Sequence, residues 1–377
     1  MAKFKSSVIV TVLAGLAFWV GPALAQDLVP DGVFYKVKPG DTLESLAATW
    51  LGDPGQAPRI AEATRAAASG DPALARLDGG ELKPGETLLL PVKLTTRDKG
   101  EFLIDKGLDF PEAPFWSDRD QALYYVEWAG DKVWRLKDGQ KTLFIENAKG
   151  DGPCGLDQDG EGNFWMALYS SGQVALYSPE GERLKSYGEG PAGPFVGPND
   201  LVLDRKGGVY FTDSGNFEDD WVSGREAGKL YYIAPDGRLL LLDENISYAN
   251  GVALSPDGTR LFVNEHRKNR ILVYDVAADG QVGNRRVLVD LDGDCLSDQE
   301  VCYEVGPDGM TRDAEGNLWV AHYHAGAMLK IGPEGQLLQK LFLPLGDTPT
   351  NASLSPDGKS LYISEASQGL LLLVPTE

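Results

Sequence analysis

The chain has 377 residues and a formal net charge of −21, from 56 acidic against 35 basic side chains. That length buries a sizeable core and leaves room for more than one domain. So acidic a chain excludes binding to nucleic acid or anionic lipid through its general field.

Lys3 and Lys5 precede an apolar run from Val8 to Val20, and Ala23-Leu24-Ala25 fits a small-residue cleavage site. Residues 1–25 therefore read as a secretory signal peptide. The run is short for a membrane span and no later stretch reaches spanning length. The expectation is an exported protein without a membrane span, periplasmic or cell-wall-associated. In an oxidising compartment Cys295 and Cys302, close together in one loop, are candidates for a disulfide, although spacing alone does not fix connectivity. Cys154, in Gly-Pro-Cys-Gly-Leu, reads as a buried free thiol.

Residues 34–93 form a unit of their own. Tyr35 to Leu43 predicts a short strand and a turn, after which Asp41 or Thr42 can cap a helix over Glu44 to Trp50. Ala57 to Ala68 reads as a second helix, and Leu82 to Pro91 as a turn entering a closing strand. With Gly-Asp-Thr-Leu near its start and Pro-Gly-x-x-Leu-x-x-Pro at its end, this small α+β unit resembles the lysin motif (LysM). The resemblance implies binding to N-acetylglucosamine polymers such as peptidoglycan. Residues 94–106 read as a linker.

From residue 107 to 377 the pattern turns to repeated β grammar. Apolar strands at Leu123–Val126, Phe164–Ala167, Val209–Thr212, Leu261–Val263, Leu318–Ala321 and Leu361–Ile363 each follow a turn rich in Asp and Gly. Most lead into a second strand and another turn, such as Pro235-Asp236-Gly237. Six occurrences at intervals of roughly forty to sixty residues predict an all-β, six-bladed β-propeller, favoured by that regularity over a pair of β-sandwiches.

In a propeller the inner strands converge on a central channel, so oxygen-bearing side chains at their starts can meet from distant parts of the chain. Four stand at such places: Glu112 in Pro-Glu-Ala-Pro-Phe-Trp, Asn199 in Pro-Asn-Asp-Leu, Asn250 in Asn-Gly-Val-Ala-Leu-Ser-Pro-Asp-Gly, and Asp308 in Pro-Asp-Gly-Met. Two carboxylates and two amides make a hard, oxygen-only donor set suited to one divalent cation, Ca²⁺ or Mg²⁺, and acceptable to Mn²⁺ or Zn²⁺. Taken singly, each of the four is an ordinary turn residue. His266, in the charged stretch His266 to Arg270, reads as a packing or surface group. Asp290-x-Asp292-x-Asp294 lacks the Gly and the closing Glu of a calcium loop. No phosphate loop, His-Glu-x-x-His or Gly-x-Ser-x-Gly pattern is present.

These motifs resemble those of the senescence marker protein/gluconolactonase/regucalcin family. The resemblance implies a six-bladed propeller with a divalent cation, foremost Ca²⁺, in the channel. It makes Glu112, Asn250 and Asp308 metal ligands, places Asn199 on the metal or the substrate, and makes Asp308 the catalytic proton acceptor. It implies a hydrolase opening a lactone or other ester, with related arylesterases and phosphotriesterases sharing the ligand set. Family members acting on sugar lactones often carry Arg at the position of Gly197, so substrate contacts are expected from Asn199, Asp200, His322, Tyr323 and His324. The alternative is a non-catalytic wall-associated propeller that binds a ligand or an envelope protein.

Overall fold

The computed structural model describes residues 33–37, 40–51, 54–68, 82–91, 102–147, 149–216, 226–291 and 305–376. Residues 1–25 and the Cys295–Cys302 pair lie outside them. The chain divides into two compact units, residues 1–92 and 93–377.

In the first unit, strand Val33–Lys36 pairs antiparallel with Thr87–Leu90, and helices Leu43–Leu51 and Ala57–Ala68 lie between them in sequence. The Thr42 hydroxyl accepts the Ser45 N–H at 3.0 Å while Ser45 Oγ accepts the Thr42 N–H at 2.9 Å, a reciprocal cap that starts the first helix. Buried Thr64 ties the second helix to the closing strand, its hydroxyl accepting from Leu89 N at 2.9 Å. Among the described residues no helix is long and apolar enough to cross a membrane.

The second unit contains six four-stranded antiparallel sheets, a six-bladed β-propeller. The inner strands of blades I to VI are Pro111–Ser117, Pro153–Gln158, Pro198–Leu203, Ala249–Leu254, Gly306–Arg312 and Pro349–Leu354. The second strands carry the apolar runs seen in the sequence and are buried along almost their whole length, as in Ala122–Glu127 and Leu318–Tyr323. Outer strands such as Arg183–Tyr187 face solvent. The core accordingly lies between blades: Tyr124 and Val126 of blade I pack on Phe164 and Met166 of blade II, and equivalent clusters join the later neighbours.

The Asp-Gly turns join first to second strands. Asp159 Oδ1 accepts from Glu161 N and Asn163 N, both at 2.9 Å, and Gly162 takes φ +94°, a conformation open to glycine. Asp204 and Asp313 hold their turns in the same way.

One expectation is corrected. Leu103–Lys106, read as linker, is the outermost strand of blade VI and pairs with Leu370–Pro375. It closes the ring from the opposite end of the chain. Asp105 fastens it to blade I, accepting the Tyr125 hydroxyl at 2.6 Å and pairing with Lys141 at 2.5 Å. A four-residue strand whose partner lies at the far end of the sequence leaves no local period to read.

Candidate active site at the channel

The inner strands begin alike. Pro111, Pro153, Pro198, Ala249, Pro307 and Pro349 pair with Glu127, Leu168, Asp213, Glu265, His322 and Glu365 at the ends of the second strands. The register then shifts in every blade, a bulge that re-aims the next side chains. The residue entering each bulge is Glu112, Cys154, Asn199, Asn250, Asp308 or Thr350. The structure thus gives all four sequence-predicted ligands equivalent places, one blade each, and adds Cys154 and Thr350 as members that sequence reasoning missed. Their signal was the shared opening: Pro153-Cys154 and Pro349-Thr350 repeat the proline that precedes Asp308 in Pro307-Asp308.

Two repeated devices hold this ring. Carboxylates ending the second strands accept backbone N–H groups from the turn before the inner strand: Asp213 from Gly197 at 2.7 Å, Glu265 from Ser247 at 2.9 Å, Glu365 from Thr348 at 3.2 Å and Glu127 from Asp109 at 3.2 Å. Side chains one position earlier reach across to the next blade. The Thr212 hydroxyl donates to the Asn250 carbonyl at 2.7 Å, and Asn264 Nδ2 donates to the Asp308 carbonyl at 2.5 Å. Gly251 lets the strands approach, since a Cβ there would lie 2.5 Å from that Asp308 oxygen.

Glu112, Asn250 and Asp308 are 8%, 3% and 6% exposed. Burial and then the Asp308 and Asp200 carboxylates push the Glu112 pKa well up, partly offset by hydrogen bonds from Thr350 and the Ala113 backbone. Burial likewise raises Asp308, against a hydrogen bond from Asn250. Among the described residues no lysine or arginine belongs to the groups acting on either carboxyl. Asn250 Oδ1 is buried and finds no hydrogen-bond partner among the described residues. Half-buried Asn199 completes the set. Two mutually repelling carboxylates and an orphaned amide oxygen are what a hard divalent cation would neutralise and satisfy, so these residues fit one. Among the described residues no three His, Cys, Asp or Glu side chains form a metal cage, which leaves the amides essential to the fit.

Asp200 lies one residue past the ring and forms part of its floor. Its carboxylate accepts from Leu201 N at 2.9 Å and Val252 N at 3.2 Å and meets Asn351 from blade VI; burial raises its pKa to about 7. Beyond Asp200 and Asn351 the channel widens into a cavity of about 440 Å³ at its opposite end, lined also by Asp157 and Arg312. Buried free Cys154 faces the carboxylates: burial first, then Glu112, Asp308 and Asp200, push its thiol well up. His322 is turned into the blade, 1% exposed, with Nε2 2.9 Å from Asn269 Oδ1, and does not join the ring. Tyr323 and His324 are half-buried at the ligand end, their rings 4.3 Å apart. His266 is 5% exposed and stands edge-on to Tyr248 and Tyr323, each at 5.7 Å, rather than on the open surface.

Residues 110–367 match the SMP-30/Gluconolactonase/LRE-like region family. Among curated relatives, the gluconolactonase of Zymomonas mobilis is 28% identical over 224 residues, covering 56% of this chain and 60% of that protein. The regucalcin of Xenopus laevis is 27% identical, covering 72% and 88%, and the lactonase drp35 of Staphylococcus haemolyticus 29%, covering 64% and 71%. The solved gluconolactonase of Xanthomonas campestris superposes with a TM-score of 0.61 at 22% identity over 72% of this chain and 88% of that one. The calcium-binding regucalcin of Agrobacterium tumefaciens does so at 0.59 and 20% identity, over 72% and 92%. With the matched region running from the start of blade I into blade VI, the chain belongs to the SMP-30/gluconolactonase/LRE-like family.

Proposed function

We propose that this protein is an exported, divalent-metal-dependent hydrolase that opens a lactone. Glu112, Asn199, Asn250 and Asp308 would hold the cation, with Ca²⁺ first in preference. Once bound, the cation supplies charge to polarise the ester carbonyl and to acidify a water molecule. Asp308 accepts at its carboxylate the proton lost by the attacking water, and returns it to the ring oxygen as the acyl C–O bond breaks. The product is the open hydroxy acid. Buried Asn264 and Thr212 keep the Asp308 and Asn250 backbones fixed while the proton moves. The observation that carries this reading is the orphaned Asn250 oxygen beside two repelling buried carboxylates. Relatives named gluconolactonase and lactonase support the choice of lactone.

The N-terminal unit has the strand–helix–helix–strand order of a LysM module, and we read it as the tether to peptidoglycan. Hydrolysis of a lactone panel, followed by pH indicator with and without EDTA, tests the enzyme reading. Asp308→Ala is expected to abolish the chelator-sensitive rate, and turnover surviving in that variant would sink the assignment. Sedimentation with purified peptidoglycan tests the tether.

A further inference from the structure

Two residues before the bulge residue of each blade stand Phe110, Gly152, Gly197, Tyr248, Gly306 and Thr348. Phe110 and Tyr248 hold φ +56° and +58°. Bulky residues pay a steric cost in that region and persist there when the surroundings, or a function, hold them. At the three glycines an aromatic ring from the end of a second strand is among the groups that crowd the space where a side chain would project. A Cβ on Gly152 would meet Ser170 Oγ first and Trp128 Nε1 at 2.9 Å, one on Gly197 would meet the Gly215 carbonyl oxygen and Tyr169 Cε2 both at 2.8 Å, and one on Gly306 would meet the His266 carbonyl oxygen first and its ring Cδ2 at 3.0 Å. Trp128, Tyr169 and His266 each follow directly the second-strand residue that pairs with the start of the inner strand. Five of the six positions above the ligand ring are therefore covered by an aromatic ring.

The rings touch in sequence. Phe110 meets Trp128 edge-on at 5.3 Å, and Trp128 meets Tyr169 at 6.2 Å. The Tyr169 and Tyr248 hydroxyls are 3.0 Å apart, and from Tyr248 the contacts pass through His266 to Tyr323. Phe110, Trp128, Tyr169, Tyr248 and Tyr323 are half-buried. A lactone ring bearing several hydroxyls needs convergent polar partners, and its hydroxyls would lose water against these faces. A flat or apolar substituent gains contact with them.

We infer that the channel mouth selects lactones carrying an aryl ring or an alkyl chain over polyhydroxylated ones, with Tyr169 the specificity-determining residue. The inference rests on lactone hydrolysis as the activity. Tyr169 is half-buried, fills the place over Gly197, and links the Trp128 side of the collar to Tyr248. It touches the substituent, not the ester bond.

The test is steady-state hydrolysis of dihydrocoumarin, δ-decalactone and glucono-δ-lactone by the full chain. The first two are expected to exceed the third in kcat/KM by about tenfold or more. Tyr169→Ala is expected to raise KM for the apolar pair about tenfold with little change in kcat, narrowing the preference. Tyr169→Phe, which keeps the ring and loses the hydroxyl contact, is expected to retain it. Preference for gluconolactone, or an equal loss on all three substrates in Tyr169→Ala, overturns the inference. If no lactone is turned over, calorimetry with 3,4-dihydro-2-quinolinone, the lactam analogue of dihydrocoumarin, separates the two readings. Binding that Tyr169→Ala weakens upholds the apolar mouth while hydrolysis fails, and absence of binding overturns the mouth as well.

Discussion

Asn264, on the second strand of blade IV, donates its side-chain amide N–H to the backbone carbonyl of Asp308 in blade V at 2.5 Å. Both residues are buried. The proposed proton acceptor is thus positioned by its neighbour blade as well as its own.

Replacing Asn264 by Ala would leave the Asp308 carbonyl buried and unsatisfied, at a cost of about 1–3 kcal/mol. Thermal unfolding is expected to move down by several degrees. Turnover is expected to fall by more than KM changes, because the proton acceptor loses its register rather than its chemistry. A variant with wild-type kcat would show that Asp308 is held without this bond.

Glu112 and Asp308 set stability against binding. Glu112 has a folded pKa well above its ordinary 4.5, by burial and then by the Asp308 charge. Its contribution to stability is complete below that ordinary value and is lost as pH rises through the raised one. Between pH 5 and pH 8 EDTA-treated wild type is therefore expected to lose stability relative to Glu112→Gln, and added cation to reverse that loss. Glu112→Gln should melt higher than wild type in EDTA at pH 8 and gain little from Ca²⁺. Melting curves at the two pH values, with and without Ca²⁺, check both halves.

His322 predicts the opposite slope. Burial holds its imidazole down to about 3, and its Nε2 donates to Asn269 Oδ1 because the Asn269 amide nitrogen is committed to Leu291 O at 2.7 Å. Stability tied to the neutral ring is present above the ordinary 6.5 and is lost as pH falls toward 3. At pH 5 the loss amounts to at most about 2 kcal/mol. His322→Gln keeps a donor without the titration, so its melting temperature should fall less than wild type between pH 7.5 and pH 5. Equal acid sensitivity in the two proteins would contradict the assignment.

Ring closure is tested by truncation. A variant lacking residues 1–101 keeps Leu103–Lys106 and is expected to fold and melt as one cooperative unit. A variant starting at Gly107 loses the outer strand of blade VI and the Asp105 contacts to Tyr125 and Lys141, and is expected to be markedly less stable or insoluble. Comparable melting temperatures would argue that the strand is dispensable.

The repeat was legible because each Asp-Gly turn satisfies its own backbone locally, as Asp159 does, so the six turns carry their signal in a few adjacent residues. Glu112, Asn199, Asn250 and Asp308 were legible for the same reason, each set in a short motif at the start of an inner strand and three of them directly after a proline. Cys154 and Thr350 shared that proline and escaped because neither is a hard anionic or amide ligand. The aromatic collar was not legible. Trp128, Tyr169 and His266 end apolar strands where an aromatic residue is unremarkable, and only the register shows them standing over Gly152, Gly197 and Gly306. Leu103–Lys106 escaped because its pairing is wholly non-local.

The most direct test of the metal-dependent hydrolase is calorimetric titration of Ca²⁺ into EDTA-treated, dialysed protein, with lactone hydrolysis recovered along the same titration. One binding site per chain is expected, with a recovery curve that tracks occupancy and with both lost in Asp308→Ala. Hydrolysis that survives EDTA, or binding that persists in Asp308→Ala with no bearing on rate, would contradict a metal-dependent hydrolase.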